Sequence, residues 1–318
     1  MKAALGGGVG GRLLYGWDMS RRVLDALASA RPAVSFEFFP PKDQAAEALL
    51  KARVDALGPL QPDFVSVTFG AGGGGGDRAE ASIAATKAVG QVTLAARVAH
   101  LALAGQTVAD LQRAAGWFLE AGVEGFMALR GDPPDGPGGA WVGHPGGLTY
   151  AVELVELLRQ VTALPVGVAA FPHGHPTAPS LEIDARVLAA KQAAGADFAV
   201  TQVLFSAEAY RALLDRAERH GVTMPIVPGI MPITARSKVE KLELFSGAAL
   251  PGPLAVALVK AGGVAGAQER VGLEWSVELV DQLLAEGAPG VHFYTLNSSE
   301  ATQRICDTLG LRGALAGS

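Results

Sequence analysis

The chain has 318 residues, of which 49% are hydrophobic and 18% charged, a composition that supplies a large core and excludes a disordered protein. Its net charge of −5 argues against a nucleic-acid binder, because such proteins present a basic surface to the phosphate backbone. A single cysteine, Cys306, excludes an internal disulfide framework. No uninterrupted apolar run reaches the ~18 residues of a membrane span and the N-terminus lacks a secretory signal, so we expect a cytoplasmic enzyme with no membrane partner.

Eight short segments rich in apolar and β-branched residues alternate with segments of helical period. The predicted strands are residues 33–38, 64–69, 92–98, 124–129, 165–170, 198–204, 225–230 and 291–294. The predicted helices are residues 44–57, 78–89, 107–121, 148–161, 181–194, 207–220, 237–245, 254–260, 268–286 and 300–309. Alternation of this kind is typical of a parallel sheet, and eight units favour a closed barrel over an open sheet. The sequence therefore predicts an α/β fold, a single-domain (β/α)8 TIM barrel.

The first 18 residues do not fit this pattern, because they are rich in glycine and carry no period. A helical pattern over residues 21–30 begins directly after Met19 and Ser20. We therefore expect residues 1–18 to form a disordered N-terminal extension, or Met19 to be the natural initiator. The catalytic barrel is expected to span residues 19–318.

In such barrels the chemistry is found at the C-terminal ends of the strands, and the unusual polar residues of this chain fall there. Glu37 lies in the first predicted strand beside Phe36, Phe38 and Phe39. A carboxylate that loses its hydration favours its neutral form and can act as a general acid. The alternative is a structural glutamate paired with an arginine inside the barrel, and the residues alone leave both interpretations open.

Other polar residues follow further strands, and each has a functional and a structural interpretation. Segment 130–132, Arg-Gly-Asp, supplies either ligand-binding charges or an ion pair that closes a loop. Gln202, predicted within the sixth strand, is either an amide that contacts a heterocycle or a hydrogen-bonded core amide. His173 and His175 lack a third ligand of regular spacing, so we predict no metal site. The glycine run 72–76 is a weak dinucleotide-binding match that fits either a loop over a ligand or a tolerated low-complexity loop.

Six segments share their order and spacing with one known family. They read VSFEFFPPK at 34–42, FVSVTFGA at 64–71, ALRGDPP at 128–134, GADFAVTQ at 195–202, PGIMP at 228–232 and HFYTLN at 292–297. Together they resemble methylenetetrahydrofolate reductase of the bacterial type, over a stretch from about residue 19 to residue 311. Any one segment can arise by chance, whereas six in register are highly specific.

The resemblance implies a TIM barrel that binds FAD and reduces 5,10-methylenetetrahydrofolate to 5-methyltetrahydrofolate, by ping-pong transfer of a hydride from NADH or NADPH. It implies that Glu37 is the general acid and that Asp132 binds and polarises the folate. Gln202 then contacts the substrate, and Thr68 lies beside the flavin at the site that folate and nicotinamide share. The FAD-binding positions implied in the same way are Thr68, His100, Arg130, Gly131, Asp132, Tyr150, Ala169, Phe171, His175, Asp184 and Lys191. A homo-oligomer, dimer or tetramer, is also implied.

The chain departs from the family pattern mainly around the implied FAD site. Ala102 stands where the family has threonine, and Val187 and Ala190 replace polar or basic residues that contact FAD in some members. Three alternatives to the FAD-dependent reductase stay open, and the first of them follows from these departures. They are a flavin-independent reductase that passes hydride directly from NADH to the folate, a non-catalytic barrel that binds a pterin or flavin, and a barrel lyase with a phosphate site near residues 261–263. The sequence does not select between NADH and NADPH.

Overall fold

A computed structural model of the chain describes residues 21–69, 75–133, 139–237, 243 and 247–314. Within these ranges the strands are β1 (Ala33–Phe38), β2 (Phe64–Val67), β3 (Ala96–Ala102), β4 (Gly125–Leu129), β5 (Val166–Ala170), β6 (Phe198–Thr201), β7 (Ile226–Val227), β8 (Gly229–Ile230) and β9 (Gly290–Tyr294). The helices are α1 (Arg22–Leu27), α2 (Gln44–Leu57), α3 (Gly75–Val89), α4 (Val108–Glu120), α5 (Ala151–Val161), α6 (Leu181–Ala193), α7 (Ala207–Arg219), α8 (Gly252–Lys260), α9 (Ala267–Ala285) and α10 (Glu300–Leu309).

The strand pairs of the described residues are parallel, in the order β7-β6-β5-β4-β3-β2-β1-β9-β8. Strands β7 and β8 are two halves of the seventh predicted strand, and Pro228, which has no N–H to donate, separates them. Because β7 pairs with β6 and β8 pairs with β9, the interrupted strand joins the two ends of the sheet. The predicted single-domain TIM barrel is confirmed.

Alternation along β1 gives its side chains two different environments. Phe36 and Phe38 face outward, where they join the large apolar cluster that includes Leu50 of α2. Glu37 therefore faces the barrel interior, and Phe39 after the strand is exposed. The sequence suggested that the neighbouring phenylalanines desolvate Glu37. This was wrong, because a strand directs neighbouring side chains to opposite faces of the sheet.

The N-terminal end of the barrel is filled with apolar side chains. Phe64, Met127 and Phe198 point into it from three strands, and Val23 and Leu27 of α1 pack with them. Helix α1 thus covers this end of the barrel. Ligand access is left to the opposite end, where the C-termini of the strands lie.

Several predicted strand boundaries were wrong, and those of the second, third and sixth strands affect the site. The second strand ends at Val67, so Thr68 follows it. The third strand begins at Ala96 rather than at residue 92, because the preceding residues form the turn that ends α3. In that turn the Thr93 N–H donates to the Val89 carbonyl over 3.2 Å, and the Thr93 hydroxyl accepts from the Ala95 N–H over 3.2 Å. The strand also ends at Ala102 rather than at residue 98, so His100 lies within β3 rather than after it. The sixth strand ends at Thr201, so Gln202 follows it.

Some predictions fall wholly or partly outside the described residues. These are the N-terminal extension 1–18 with Met19, residues 72–74 of the glycine run, and most of the helix predicted over 237–245. Among the helices that the structure does describe, none combines the length and the apolar character needed to cross a bilayer.

Candidate active site

Glu37 lies near the C-terminal end of the barrel and is 8% exposed. Its Oε2 atom lies 3.5 Å from Nε2 of His100 on β3 and 3.8 Å from Nε2 of His292 on β9. No arginine or lysine of the described ranges forms an ion pair with this carboxylate, so the structural alternative of a buried arginine pair was wrong there. Two imidazoles around one carboxyl form a group that can hold and pass a proton.

Burial determines the charge state of the groups around Glu37. It lowers the pKa of His100, and the nearby Glu37 only partly offsets this effect, so His100 is neutral at neutral pH. Burial and the charge of Glu37 raise the pKa of Tyr294 well above its usual value. The Tyr294 hydroxyl therefore keeps its proton, which it donates to the Thr201 carbonyl over 2.6 Å.

His292 is held from three sides inside the barrel, one layer below Glu37. Its Nδ1 atom lies 2.8 Å from the Ser35 hydroxyl oxygen. Its ring stacks on Phe64, with centroids 6.1 Å apart and planes 15° apart, and meets the Tyr294 ring edge-on at 5.2 Å. The strand register supports this arrangement, since it pairs Ser35 with His292 and Glu37 with Tyr294. His292 is therefore buried, at 2% exposure, and packed between these side chains.

A second group of side chains, the cation cluster, follows β4 and β5 and extends to α6. It contains six of the predicted FAD residues, namely Arg130, Ala169, Phe171, His175, Asp184 and Lys191. Nη2 of Arg130 lies 3.2 Å from Nε2 of His175, and the Lys191 ammonium donates to the Ala169 carbonyl over 2.8 Å. The Lys191 nitrogen also lies 5.7 Å from the centre of the Phe171 ring.

The charges of the cation cluster are desolvated. Burial lowers the pKa of Lys191 to about 8 and the pKa of His175 to about 4. Burial also raises the pKa of Asp184, an effect that Lys191 partly offsets. Desolvated cations gain strongly from contact with an anion, so this arrangement favours a phosphate-bearing ligand.

Trp141 covers the guanidinium of Arg130. The guanidinium carbon lies 4.7 Å from the centre of the indole ring, which is within the range of a cation–π contact. The Arg130 Nε and Trp141 Nε1 atoms are both buried and have no hydrogen-bond partner among the residues that the structure describes. Because buried N–H groups are nearly always bonded, these two N–H groups are available to the acceptors of a ligand.

Three further predicted residues lie next to Arg130. Gly131 has a φ of +81°, and a Cβ there would lie 3.0 Å from that of Ala104, so glycine suits this close approach. Asp132 is exposed at the surface. Partial desolvation raises its pKa, and the nearby charge of Arg130 offsets this rise only in part. Tyr150 is 61% exposed at the start of α5, and its N–H donates to the Glu153 carboxylate over 2.7 Å.

Thr68 and Gln202 directly follow β2 and β6. The Thr68 hydroxyl oxygen is buried and, within the described part of the chain, has no hydrogen-bond partner, as is also true of the Ser66 hydroxyl two residues earlier. The Gln202 amide oxygen accepts from the Val203 N–H over 2.9 Å, so its NH₂ group is the part that a ligand can contact. Among the described residues, no three His, Cys, Asp or Glu side chains are grouped as a metal site requires.

Sequence reasoning missed Ser35, His292 and Trp141. Period-two alternation back from Glu37 and Tyr294 would have placed Ser35 and His292 on the inward face of their strands. Trp141 lies in a loop without period, so no comparable signal identifies it.

Comparison with known proteins gives consistent matches. A family model described as methylenetetrahydrofolate reductase matches residues 22–310. The 5,10-methylenetetrahydrofolate reductase of Escherichia coli (strain K12) is 36% identical over 282 residues, which cover 89% of this chain and 92% of the relative. The enzyme of the same name from Salmonella typhimurium is 35% identical over 282 residues, with the same shares of each chain.

More distant matches differ in length or in sequence. Methylenetetrahydrofolate reductase (NADH) 1 of Zea mays is 30% identical over 301 residues, which cover 91% of this chain but 50% of the relative. A solved structure from Clostridium thermocellum, described as binding two copies of 5-methyl-5,6,7,8-tetrahydrofolic acid, has a TM-score of 0.62 and 14% identity, covering 92% of this chain and 98% of that one. At that identity the likeness shows a shared fold.

Proposed function

Since this chain belongs to the methylenetetrahydrofolate reductase family, a family of oxidoreductases, we propose that it reduces 5,10-methylenetetrahydrofolate to 5-methyltetrahydrofolate by a ping-pong reaction that uses FAD. NADH or NADPH would be the hydride donor. In this proposal Glu37 is the general acid, and the cation cluster and its neighbours hold the flavin.

The observation that carries the proposal is the carboxyl of Glu37, buried at the barrel mouth between two imidazoles. The five-membered ring of the folate must open to an iminium before it can accept a hydride, and this opening needs a proton on the ring nitrogen. A carboxyl with little access to water and a neutral His100 beside it suits a proton donor. Burial here also keeps bulk water from competing for the iminium.

The residues of the cation cluster fit FAD. The diphosphate of FAD needs cations and N–H donors, and Arg130 and Lys191 present desolvated charges together with the unpartnered Arg130 Nε. His100, Gly131, Asp132, Tyr150 and Thr68 are the further residues that we assign to its binding. When bound, FAD would supply the hydride relay between the nicotinamide and the folate.

For the folate itself we assign Gln202, Asp132 and Thr68. The free NH₂ group of Gln202 and the unpartnered Thr68 hydroxyl are polar groups that a pterin ring, rich in donors and acceptors, can satisfy. Asp132, exposed at the rim, would bind and polarise the pterin as its charge meets the ring N–H groups. The expected cytoplasmic location and the homo-oligomeric state stay predictions.

The visible spectrum of the purified protein and an NADH oxidation assay, with and without methylenetetrahydrofolate and added FAD, test the proposal. We expect flavin bands and folate-dependent oxidation of NADH. Folate reduction without flavin bands and without a gain from added FAD would favour the flavin-independent alternative. That alternative was considered because Ala102, Val187 and Ala190 depart from the family pattern around the FAD site. Binding of flavin or pterin without turnover would favour a non-catalytic barrel.

A further inference from the structure

The loop of residues 295–299, between β9 and α10, binds the end of β1 where the ladder between the two strands stops. The last pair of that ladder joins Glu37 to Tyr294. Beyond it, the Thr295 hydroxyl donates to the Glu37 carbonyl over 2.6 Å. The Asn297 amide oxygen accepts from the Phe39 N–H over 2.8 Å, and its NH₂ group donates to the Phe39 carbonyl over 3.2 Å. Side chains of this loop therefore take the place of a partner strand at the end of β1.

Two consecutive residues of the loop have a left-handed backbone. Leu296 and Asn297 have φ values of +49° and +55°, in the region that favours glycine. Such backbone persists where the surrounding bonds hold it, and it is concentrated at functional sites. Here the Asn297 N–H donates to the Thr295 hydroxyl over 3.2 Å, so this hydroxyl accepts one bond and donates another to the Glu37 carbonyl. Thr295 is 4% exposed, so water cannot readily replace its hydroxyl.

These bonds act on the segment that carries the Glu37 carboxyl. Glu37 is the next-to-last residue of β1, and the two residues that follow Phe39 are prolines, which have no N–H to donate. On the other side of β1, the Thr68 N–H donates to the Phe38 carbonyl over 2.9 Å. Without the loop bonds, that side would have to hold the end of the strand by itself. Displacement of a catalytic group by about 1 Å can cost about 10² in rate.

We propose that Thr295 and Asn297 are positioning residues that fix the backbone of Glu37 and so orient its carboxyl toward the folate, an inference that rests on the proposed function of Glu37 as general acid. In the step that they assist, the O–H bond of Glu37 breaks and an N–H bond forms at the folate ring nitrogen, whose bond to the methylene carbon breaks as the iminium forms. Hydride transfer from NADH to FAD does not use Glu37. Loss of either positioning residue therefore slows the folate half-reaction alone.

The test uses the full-length flavin-loaded protein and variants that separate the hydroxyl, the amide and the backbone. Thr295→Val keeps the shape of the side chain and loses the hydroxyl, whereas Thr295→Ser keeps the hydroxyl. Asn297→Gly tolerates the left-handed backbone and removes the amide. Gln61→Gly is the matched control, since Gln61 also has a positive φ, of +48°, but precedes β2 at the opposite end of the barrel.

The two half-reactions, flavin reduction by NADH and flavin oxidation by methylenetetrahydrofolate, are followed separately by flavin absorbance. At saturating folate, Thr295→Val and Asn297→Gly should slow the folate half-reaction at least roughly tenfold and change the NADH half-reaction less than about twofold. Thr295→Ser should recover most of the rate, and Gln61→Gly should match the wild type. An unchanged folate half-reaction, equal losses in both half-reactions, or a Thr295→Ser variant as slow as Thr295→Val would overturn the inference.

Amide hydrogen exchange tests the fixing of the backbone without depending on activity. The Phe39 N–H should exchange faster in Asn297→Gly than in the wild type and in Gln61→Gly, because it loses its acceptor. Equal exchange in all three proteins would also overturn the inference. If Asn297→Gly fails to hold flavin, the two Thr295 variants decide. Wild-type protein that lacks flavin or folate turnover would instead refute the proposed function.

Discussion

The Tyr294 hydroxyl donates to the Thr201 carbonyl over 2.6 Å, and this bond spans the place where Pro228 interrupts the seventh barrel strand. The Tyr294 ring passes directly over Gly229, whose N–H in turn donates to the Thr201 hydroxyl over 2.9 Å. The first bond joins β9 to β6 and the second joins β8 to β6, beside the two-residue strands β7 and β8. Tyr294 also contacts His292, which lies beside Glu37. The same side chain therefore contributes both to barrel closure and to the surroundings of Glu37.

Gly229→Ala should destabilise the protein, because the added Cβ would lie 2.4 Å from the Thr201 carbonyl oxygen and 2.5 Å from the Tyr294 ring. Overpacking of this kind costs about 1–3 kcal/mol, and the barrel closure cannot relax without moving Tyr294. Scanning calorimetry should show a Tm several degrees lower. Gly58→Ala is the control, since its Cβ would meet nothing within 4 Å. Equal Tm values for the two variants would contradict the argument.

Glu37→Gln should preserve flavin reduction by NADH and slow flavin oxidation by the folate by roughly 10²–10⁴-fold, because an amide of the same shape cannot donate the proton. Rapid-mixing absorbance measurements resolve the two half-reactions. Glu182→Gln on the exposed surface of α6 is the control for loss of one acidic residue. Equal impairment of both half-reactions would refute the assigned role.

Trp141→Leu should weaken FAD binding by roughly 3- to 30-fold, as expected for loss of a partly desolvated cation–π contact to Arg130. Trp141→Phe keeps a ring over the guanidinium and should lose less. The dissociation constant is measured by quenching of flavin fluorescence. Trp117→Leu is the matched control, since Trp117 also stacks on an arginine, Arg113, but on the outer surface of α4. A similar loss in the control would argue against a specific effect.

The affinity for FAD should fall as the pH rises through about 8, because burial lowers the pKa of Lys191 to about 8. Below that pH the lysine is charged and attracts a diphosphate. Above it, binding requires uptake of a proton, which weakens the affinity by up to about tenfold per pH unit. Titrations across this range should show the pH dependence in the wild type and in the control Lys51→Met, since Lys51 is a half-buried lysine of α2 that pairs with Glu47. Lys191→Met should bind FAD more weakly and with little pH dependence. A flat wild-type profile would exclude the lysine from the site.

The fold could be predicted from local pattern, and much of the candidate site from the family resemblance. Alternation of apolar strands with amphipathic helices is a property of neighbouring residues, so the eight units and the helix over 44–57 agree with the structure. Strand ends were less predictable. The β-branched Val92 and Thr93 read as strand, yet they form the turn after α3, because a side-chain hydrogen bond and the end of the helix outweigh their preference.

The sequence by itself determined the architecture and the position of Glu37 on a strand, because both are written in short segments, and its resemblance to a known family implied the residues of the cation cluster. Only the tertiary structure decided what surrounds Glu37. Barrel closure brings His100 from β3 and His292 from β9 to the same carboxyl oxygen, and strand alternation turns the neighbouring phenylalanines away from it. Contacts between strands far apart in the chain depend on register and closure, which no local pattern specifies.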